Sequence, residues 1–535
     1  MTAVPRQDPG GEPTPSARQP RAAAALVALG IFASRVFGLV RQMLQAQFLG
    51  TSLAADAFTA AFKIPNILQN LFGEGALSAS FIPVYSRLLA EGNEEEAGHV
   101  AGAIASLLVL AVSVVVLVGV VATPALIPLI AQGFGPEQKR MTIQLTRILF
   151  PGAGIFVISA WCLGILNSHR RYLLSYSAPV LWNVAMIGAL LWFGKSQQPV
   201  DLASTLAWAS VAGALLQFLI QVPTTLRLAR HLRFSLDTTS QHVRTVSRNF
   251  GPAFVSRGVV QISGYIDIWL ASFLPAGMVA TLGYAQTVYV LPVSLFGMAV
   301  SAAELPEMSR AVGDHDQVAT YLRGRLGAGL RNIAFFVIPS AAAFLAFGDV
   351  IAALLFQRGR FSAADSHYAW GILAGSAVGL LATTMGRLYS STYYALHDTR
   401  TPLRFATIRV VLTTALGYLF ALPLPRLLGI DPHWGAAGLT ASAGIAGWIE
   451  FVLLRSRMNR RIGVTGLPAK FVGSLWAAAA VGAAAGWEMR GLTTHQAPII
   501  ARVLVLVTFG VIYILTTVAL GVPEAASALA RLRRR

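Results

Sequence analysis

Long apolar runs broken by short polar, arginine-rich stretches dominate this chain of 535 residues. A helix needs about 20 apolar residues to cross a bilayer, and windows of that length predict fourteen spans. They fall near 22–47, 54–87, 100–123, 142–167, 176–194, 203–224, 250–274, 278–309, 328–356, 367–395, 402–422, 434–456, 469–487 and 500–521. Several exceed a simple crossing, which predicts tilts or bends. The second carries Pro65, Gly73 and Gly75, and the eighth carries Pro292 and Pro306; proline breaks the helical ladder and marks a kink. The fold class expected is all-α and polytopic.

The basic residues orient these spans. Arg170 and Arg171, Arg227 to Arg233, Arg310 to Arg325, Arg400 and Arg404, and Arg455 to Arg461 follow even-numbered spans. The positive-inside rule then puts both termini in the cytoplasm. Lys139-Arg140 and Arg358 with Arg360 run against that trend.

An internal repeat organises the spans. Ser34-Arg35 recurs as Ser256-Arg257, Pro83-Val-Tyr-Ser-Arg87 as Pro306-Glu-Met-Ser-Arg310, and Leu166-Asn-Ser-His-Arg170 weakly as Leu396-His-Asp-Thr-Arg400. Two halves of six spans in the same orientation form a parallel repeat, an arrangement that supports alternating access. The division expected is a disordered tail over 1–21, an N-lobe over 22–225, a basic cytoplasmic linker over 226–248, a C-lobe over 249–457, and two further spans with a basic tail over 458–535.

Composition narrows the function. Hydrophobic residues make up 55% of the chain and charged residues 12%, a balance outside the range of soluble globular proteins. The net charge of +18 comes from arginines in short loops, so it reads as topology and lipid headgroups rather than nucleic acid. The single cysteine, Cys162, excludes an internal disulfide and reads as a packing residue. No phosphate-binding Gly-Lys-Ser loop and no His-Glu metal motif is present, and no cofactor is expected. Asp314-His-Asp316 superficially resembles the metal-binding carboxylates of a glycosyltransferase but reads as a solvated loop.

The candidate chemistry lies in the charges inside apolar runs. Arg35 and Arg41 sit in the first span, where a cation costs about 2.5–3.5 kcal/mol on insertion scales. Both need a polar place to point, and a cavity lined by arginine suits an anion. For Arg41 the alternative is a helix-packing ion pair; Arg35 could equally snorkel to a membrane face. Asp56 and Lys63 lie seven apart, two turns on one helical face, and are expected to line the cavity or its mouth. Glu74, between two glycines, could pair with Arg35 or Arg41 as a gate or as a static structural pair. Asp267 is a buried carboxylate, either a proton site or a structural hydrogen bond; Arg147 and Arg409 read as interfacial.

The motifs Ser34-Arg-Val-Phe-Gly-Leu-Val-Arg41, Phe62-Lys-Ile-Pro-Asn66, Phe72-Gly-Glu-Gly-Ala-Leu-Ser78 and Phe81-Ile-Pro-Val-Tyr85 carry a resemblance, with later echoes at Phe356-Gln-Arg-Gly-Arg-Phe361 and Asp398-Thr-Arg-Thr-Pro402. Over roughly residues 22–460 the chain resembles the MurJ/MviN family, lipid II flippases of bacterial cell-wall synthesis in the multidrug/oligosaccharidyl-lipid/polysaccharide exporter superfamily. The resemblance implies two six-helix lobes around a cationic cavity and two extra helices forming a groove for a lipid tail. It implies a multi-pass protein of the bacterial inner membrane. The substrate implied is undecaprenyl-pyrophosphate-linked disaccharide-pentapeptide; membrane lipids and other cell-wall synthesis proteins are the partners expected.

Family-essential arginines fall on Arg35 and Arg41, and family acidic positions on Asp56 and Glu74. Ser34 and Glu74 are the gate residues expected. Three departures stand out: Gln69 replaces a family arginine, Gln286-Thr287 replaces an Asp-Arg pair, and Gln42 replaces an acidic residue. Gln69 and Thr287 therefore remain cavity positions without their charge, and Arg257 and Arg387 are the substitutes proposed. Some members bind sodium through an aspartate matching Asp267 and polar residues of span 11, but residues 402–422 hold no Asp or Asn. The rival functions are export of another polyprenyl-linked glycan or of drugs, and membrane glycosyl transfer.

Overall fold

The computed structural model describes residues 15–526, with side chains except at 15–29, 31, 64, 73–75, 252, 253 and 255–263. Every long element among the described residues is helical, as the apolar runs require where no water can pair with the backbone. In chain order these are α1 (Pro15–Leu49), α2 (Leu53–Leu68), α3 (Ser78–Ala90), α4 (Glu94–Ile130), α5 (Pro136–Ser168), α6 (Tyr172–Phe193), α7 (Pro199–Leu228) and α8 (Gln241–Ala271). There follow α9 (Met278–Pro292), α10 (Ala299–Ser309), α11 (His315–Phe356), α12 (Ala363–Ala395), α13 (Arg400–Ala421), α14 (Pro423–Leu427), α15 (Gly435–Ile462), α16 (Ala469–Leu492) and α17 (Pro498–Ala519).

Eleven helical stretches among the described residues are long and apolar enough to cross a membrane. They leave out α1, the α2–α3 stretch and α8. Those three expected spans carry Arg35 and Arg41; Asp56, Lys63 and Glu74; and Arg257 and Asp267.

The two spans with internal proline and glycine are continuous but not regular. Wide π turns join α2 to α3 over Gln69–Leu77 and α9 to α10 over Val293–Met298. Their starts are 224 residues apart (293 − 69), close to the offset of the sequence repeat. A π turn inserts a residue into the ladder and redirects the helix, and such turns concentrate at functional positions. Helix α1 starts at Pro15, ahead of the expected span; residues 1–14 and the last nine, with Arg531 and Arg533–Arg535, lie outside the described residues.

The chain divides into two compact units. Unit 1 holds residues up to Leu44, Ala60–Ile127 and Lys139–Ile262. Its core packs Phe81 and Tyr85 of α3 against Val100, Ala101 and Ile104 of α4 and Val157, Trp161 and Cys162 of α5. Cys162 is fully buried, a packing residue as expected. The stretch after α7 docks on the acidic start of α4: Arg233 pairs with Glu95 at 3.1 Å, His242 with Glu96 at 3.1 Å and His99 with Asp237 at 3.3 Å.

Unit 2 holds Gln45–Thr59, Pro128–Gln138 and everything from Ser263. Helix α12 is its axis, packed by α11 and α15, with α13 on α15 and the α16–α17 pair on α11. Arg331 of α11 holds Glu524, just beyond α17, through two bonds of 2.5 and 3.2 Å, and its guanidinium lies over Phe471 of α16. Two segments from the first half of the sequence pack here. The Arg360 amide donates to the Gln47 carbonyl at 2.8 Å, the Thr51 hydroxyl to Asp365 at 2.8 Å, and the Gly133 amide to Ser272 at 3.0 Å. Gly277 lies in the left-handed region at φ 92°, and a Cβ there would stand 2.4 Å from the Thr51 carbonyl oxygen. Only glycine lets those backbones meet.

Candidate functional site

Arg41 lies eight residues before the end of α1, half-buried within unit 1. Its Nε donates to Oδ1 of Asn183 on α6 at 3.1 Å, and its guanidinium lies 4.8 Å from the Trp182 ring centroid. Both partners are held in turn. Asn183 donates to the Pro179 carbonyl, and the Trp182 indole donates to Ser210 on α7 at 3.1 Å. Phe62 stacks on Trp182 at 5.6 Å and Phe156 meets it edge-on at 5.9 Å. The arginine is thus aimed by an amide and an aromatic face. Cation–π contact and an amide acceptor hold the guanidinium in one orientation, a geometry suited to receiving an anion.

Other candidates scatter. Arg35, six residues away, points about 120° round the helix from Arg41 and is exposed; Ser34 is half-buried. Lys63 is exposed on α2, and Gln69 is half-buried at the start of the π turn. The side chains of Glu74 and Arg257 lie outside the described residues, so the gate pairing is not visible. In unit 2, Thr287 is half-buried on α9 and bonds its own helix at the Gly283 carbonyl. Asp267 is half-buried on α8 and already partnered.

Asp56 corrects an expectation. It is 2% exposed, and its carboxylate accepts from the amides of Gly277 at 2.6 Å and Ala280 at 2.8 Å, and from Gln138 at 3.4 Å. These amides open α9, where unpaired N–H groups and the helix dipole favour a negative charge. Asp56 is a cap supplied from elsewhere in the chain rather than a cavity wall, and it belongs to unit 2 while Lys63 belongs to unit 1. The shared helical face carried no information about this, because the partner lies 221 residues away. Likewise Asp314 caps α11 by accepting from the Gln317 amide at 2.8 Å, and no group of three metal-ligating side chains occurs among the described residues.

A second cationic centre gathers around Arg387, a position the sequence offered, and includes an Arg409–Glu450 pair that it did not. Arg409 on α13, expected at an interface, donates to Glu450 on α15 at 3.1 Å, and the glutamate side chain is only 13% exposed. Arg387 on α12 lies within electrostatic range of both and of Tyr289. Two arginines and one carboxylate leave a surplus positive charge among the apolar helices of unit 2. Glu450 carried a signal that could have found it: a lone acid in an apolar run needs a cation.

The family model described as lipid II flippase MurJ matches residues 45–508. The chain belongs to the MurJ family. Its relatives include a probable lipid II flippase MurJ of Rhizobium meliloti, 30% identical over 88% of each chain. Another is the lipid II flippase MurJ of Burkholderia cenocepacia, 30% identical over 80% of this chain and 81% of that one. Among solved structures, a lipid II flippase MurJ in an inward closed conformation superposes with a TM-score of 0.76 at 22% identity, covering 96% of this chain and all of that one. An inward-facing multidrug resistance MATE transporter of the MOP superfamily gives 0.65 at 16% identity over 82% of this chain and 98% of that one. Members of the family are transporters rather than enzymes, and the chain is a multi-pass inner-membrane protein.

Proposed function

We propose that this protein moves lipid II, the undecaprenyl-pyrophosphate-linked disaccharide-pentapeptide, from the cytoplasmic to the outer leaflet by alternating access between two six-helix lobes. Family membership supports the substrate. The observation that carries the mechanism is Arg41, an intramembrane cation oriented by Asn183 and Trp182. The pyrophosphate would enter beside Arg41 while the polyprenyl tail stays in lipid. Arg35 and Lys63 would raise the local anion concentration from the mouth, and Ser34 and Glu74 would form the gate. The Arg387–Arg409–Glu450 group would stand in for the family cations that Gln69 and Thr287 replace. Both termini would be cytoplasmic. With the inside negative, outward movement of each negative charge gains about 2.3 kcal/mol per 100 mV, so the potential can drive transport without a coupled ion.

The deciding experiment is replacement of the essential flippase in a depletion strain, scored by viability and by lipid II reaching the outer leaflet. Arg41→Ala should abolish rescue at normal protein level. Arg41→Lys should keep part of it, because a point charge attracts pyrophosphate without the bidentate fork. Full rescue by the alanine variant would remove Arg41 from the mechanism. The lost cations at Gln69 and Thr287 favour a second reading, export of another polyprenyl-linked glycan or of a drug. Failure of the native sequence to rescue, with transport of such a compound in vesicles, would select it.

A further inference from the structure

Helices α5 and α7 of unit 1 hold a groove that the transport reading does not use. Arg140, Gln144 and Arg147 line it from α5, with Ile143 and Ile148 between them and Trp208 of α7 opposite, around a volume of about 610 Å³. The polar three follow i, i+4, i+7 spacing and share one helical face. The arginines are about 10 Å apart along the axis, so two long side chains can converge on one group between them, beside Gln144. Both are exposed, and Arg147 makes only a long 3.4 Å bond to the Val120 carbonyl. No carboxylate lines the groove, and Glu137, one turn before Arg140, makes no ion pair among the described residues.

Gly152 brings α5 against Val211 of α7, and Ser159 ties the same helices through Gln217 and Gln221. Past the groove, Leu215, Leu216 and Leu219 of α7 are 43–51% exposed, an apolar track on the membrane-facing surface. Arg147 lies inside a span, where an unpaired cation facing lipid is costly.

We propose that this groove binds the headgroup of an anionic phospholipid, with the phosphate between Arg140 and Arg147 and the acyl chains along α7. An acidic headgroup fits better than a zwitterionic one because nothing in the lining would receive an ammonium. Occupancy would also account for Lys139-Arg140 standing against the basic-loop trend, and it does not depend on the transported substrate.

The test uses the full chain in phosphatidylcholine nanodiscs, titrated with phosphatidylglycerol and read by native mass spectrometry and by thermal unfolding. The native protein should retain phosphatidylglycerol through delipidation and be stabilised by it. The double variant Arg140→Gln/Arg147→Gln should bind about thirtyfold more weakly, the loss of two cation–phosphate attractions. Both side chains are exposed, so folding should survive, and Arg171→Gln, a basic residue elsewhere on unit 1, should change nothing. Trp208→Ala should weaken retention while sparing the preference for anionic lipid. Equal retention by the double variant would overturn the proposal. So would displacement by inorganic phosphate, which would assign the groove to a free anion, or equal stabilisation by phosphatidylcholine.

Discussion

Replacing Asp56 separates a cap from a cavity wall. The carboxylate accepts from two backbone amides at the start of α9 and is 2% exposed. Asp56→Ala leaves both N–H groups buried and unpaired in a place too crowded for easy hydration. An unsatisfied buried donor costs about 1–3 kcal/mol, and hydrogen bonds to a charged acceptor sit at the upper end. Repacking and water entry recover part of that, so a net loss of about 3 kcal/mol for the first turn of α9 is expected. Each 1.4 kcal/mol is tenfold in an equilibrium, so amide exchange over residues 275–282 should quicken about a hundredfold by local opening. Hydrogen exchange with mass spectrometry on the detergent-solubilised protein reads this directly. Asp56→Asn keeps an acceptor but loses the charge, and should fall between. Unchanged exchange in Asp56→Ala together with abolished transport would refute the cap and return Asp56 to the translocation path.

Glu450→Ala should destabilise unit 2 by about 2–3 kcal/mol, since it leaves Arg409 without its partner in an apolar setting, while the double variant Arg409→Met/Glu450→Leu should recover most of that in thermal unfolding. No recovery would mean that the pair's partners matter more than the pair. His433 and Tyr368 hydrogen-bond the Asp431 carboxylate and hold it down at about 2, below its usual 3.8. That tie is therefore complete above pH 4 and lost as pH falls toward 2. Local exchange over residues 428–436 should rise in that window, and Asp431→Asn should remove the acid dependence. Transport in proteoliposomes should respond to membrane potential and not to sodium, because span 11 offers no acidic or amide ligand beside Asp267 and a hard cation needs several oxygens. A saturable sodium requirement lost in Asp267→Asn would overturn this.

The helical spans and the disruptions near Pro65 and Pro292 were legible in the sequence. A membrane leaves the backbone no partner but itself, so twenty apolar residues dictate a helix without reference to the rest of the chain. The π turns show the limit of that argument: proline and glycine announced a disruption, and packing decided that it would be a wide turn. Partnerships were not legible. Arg41 meets Asn183 across 142 residues, Asp56 caps α9 across 221, and Arg409 finds Glu450 across 41. The segments 45–59 and 128–138 pack within unit 2 although sequence order puts them in the first half. Apolar periodicity specifies a burial requirement and leaves the partner open, because one lipid-compatible surface is much like another. A buried charge has few acceptable partners, but which one it reaches depends on helix order, tilt and close approach at small residues such as Gly277. Those are properties of the packed structure alone.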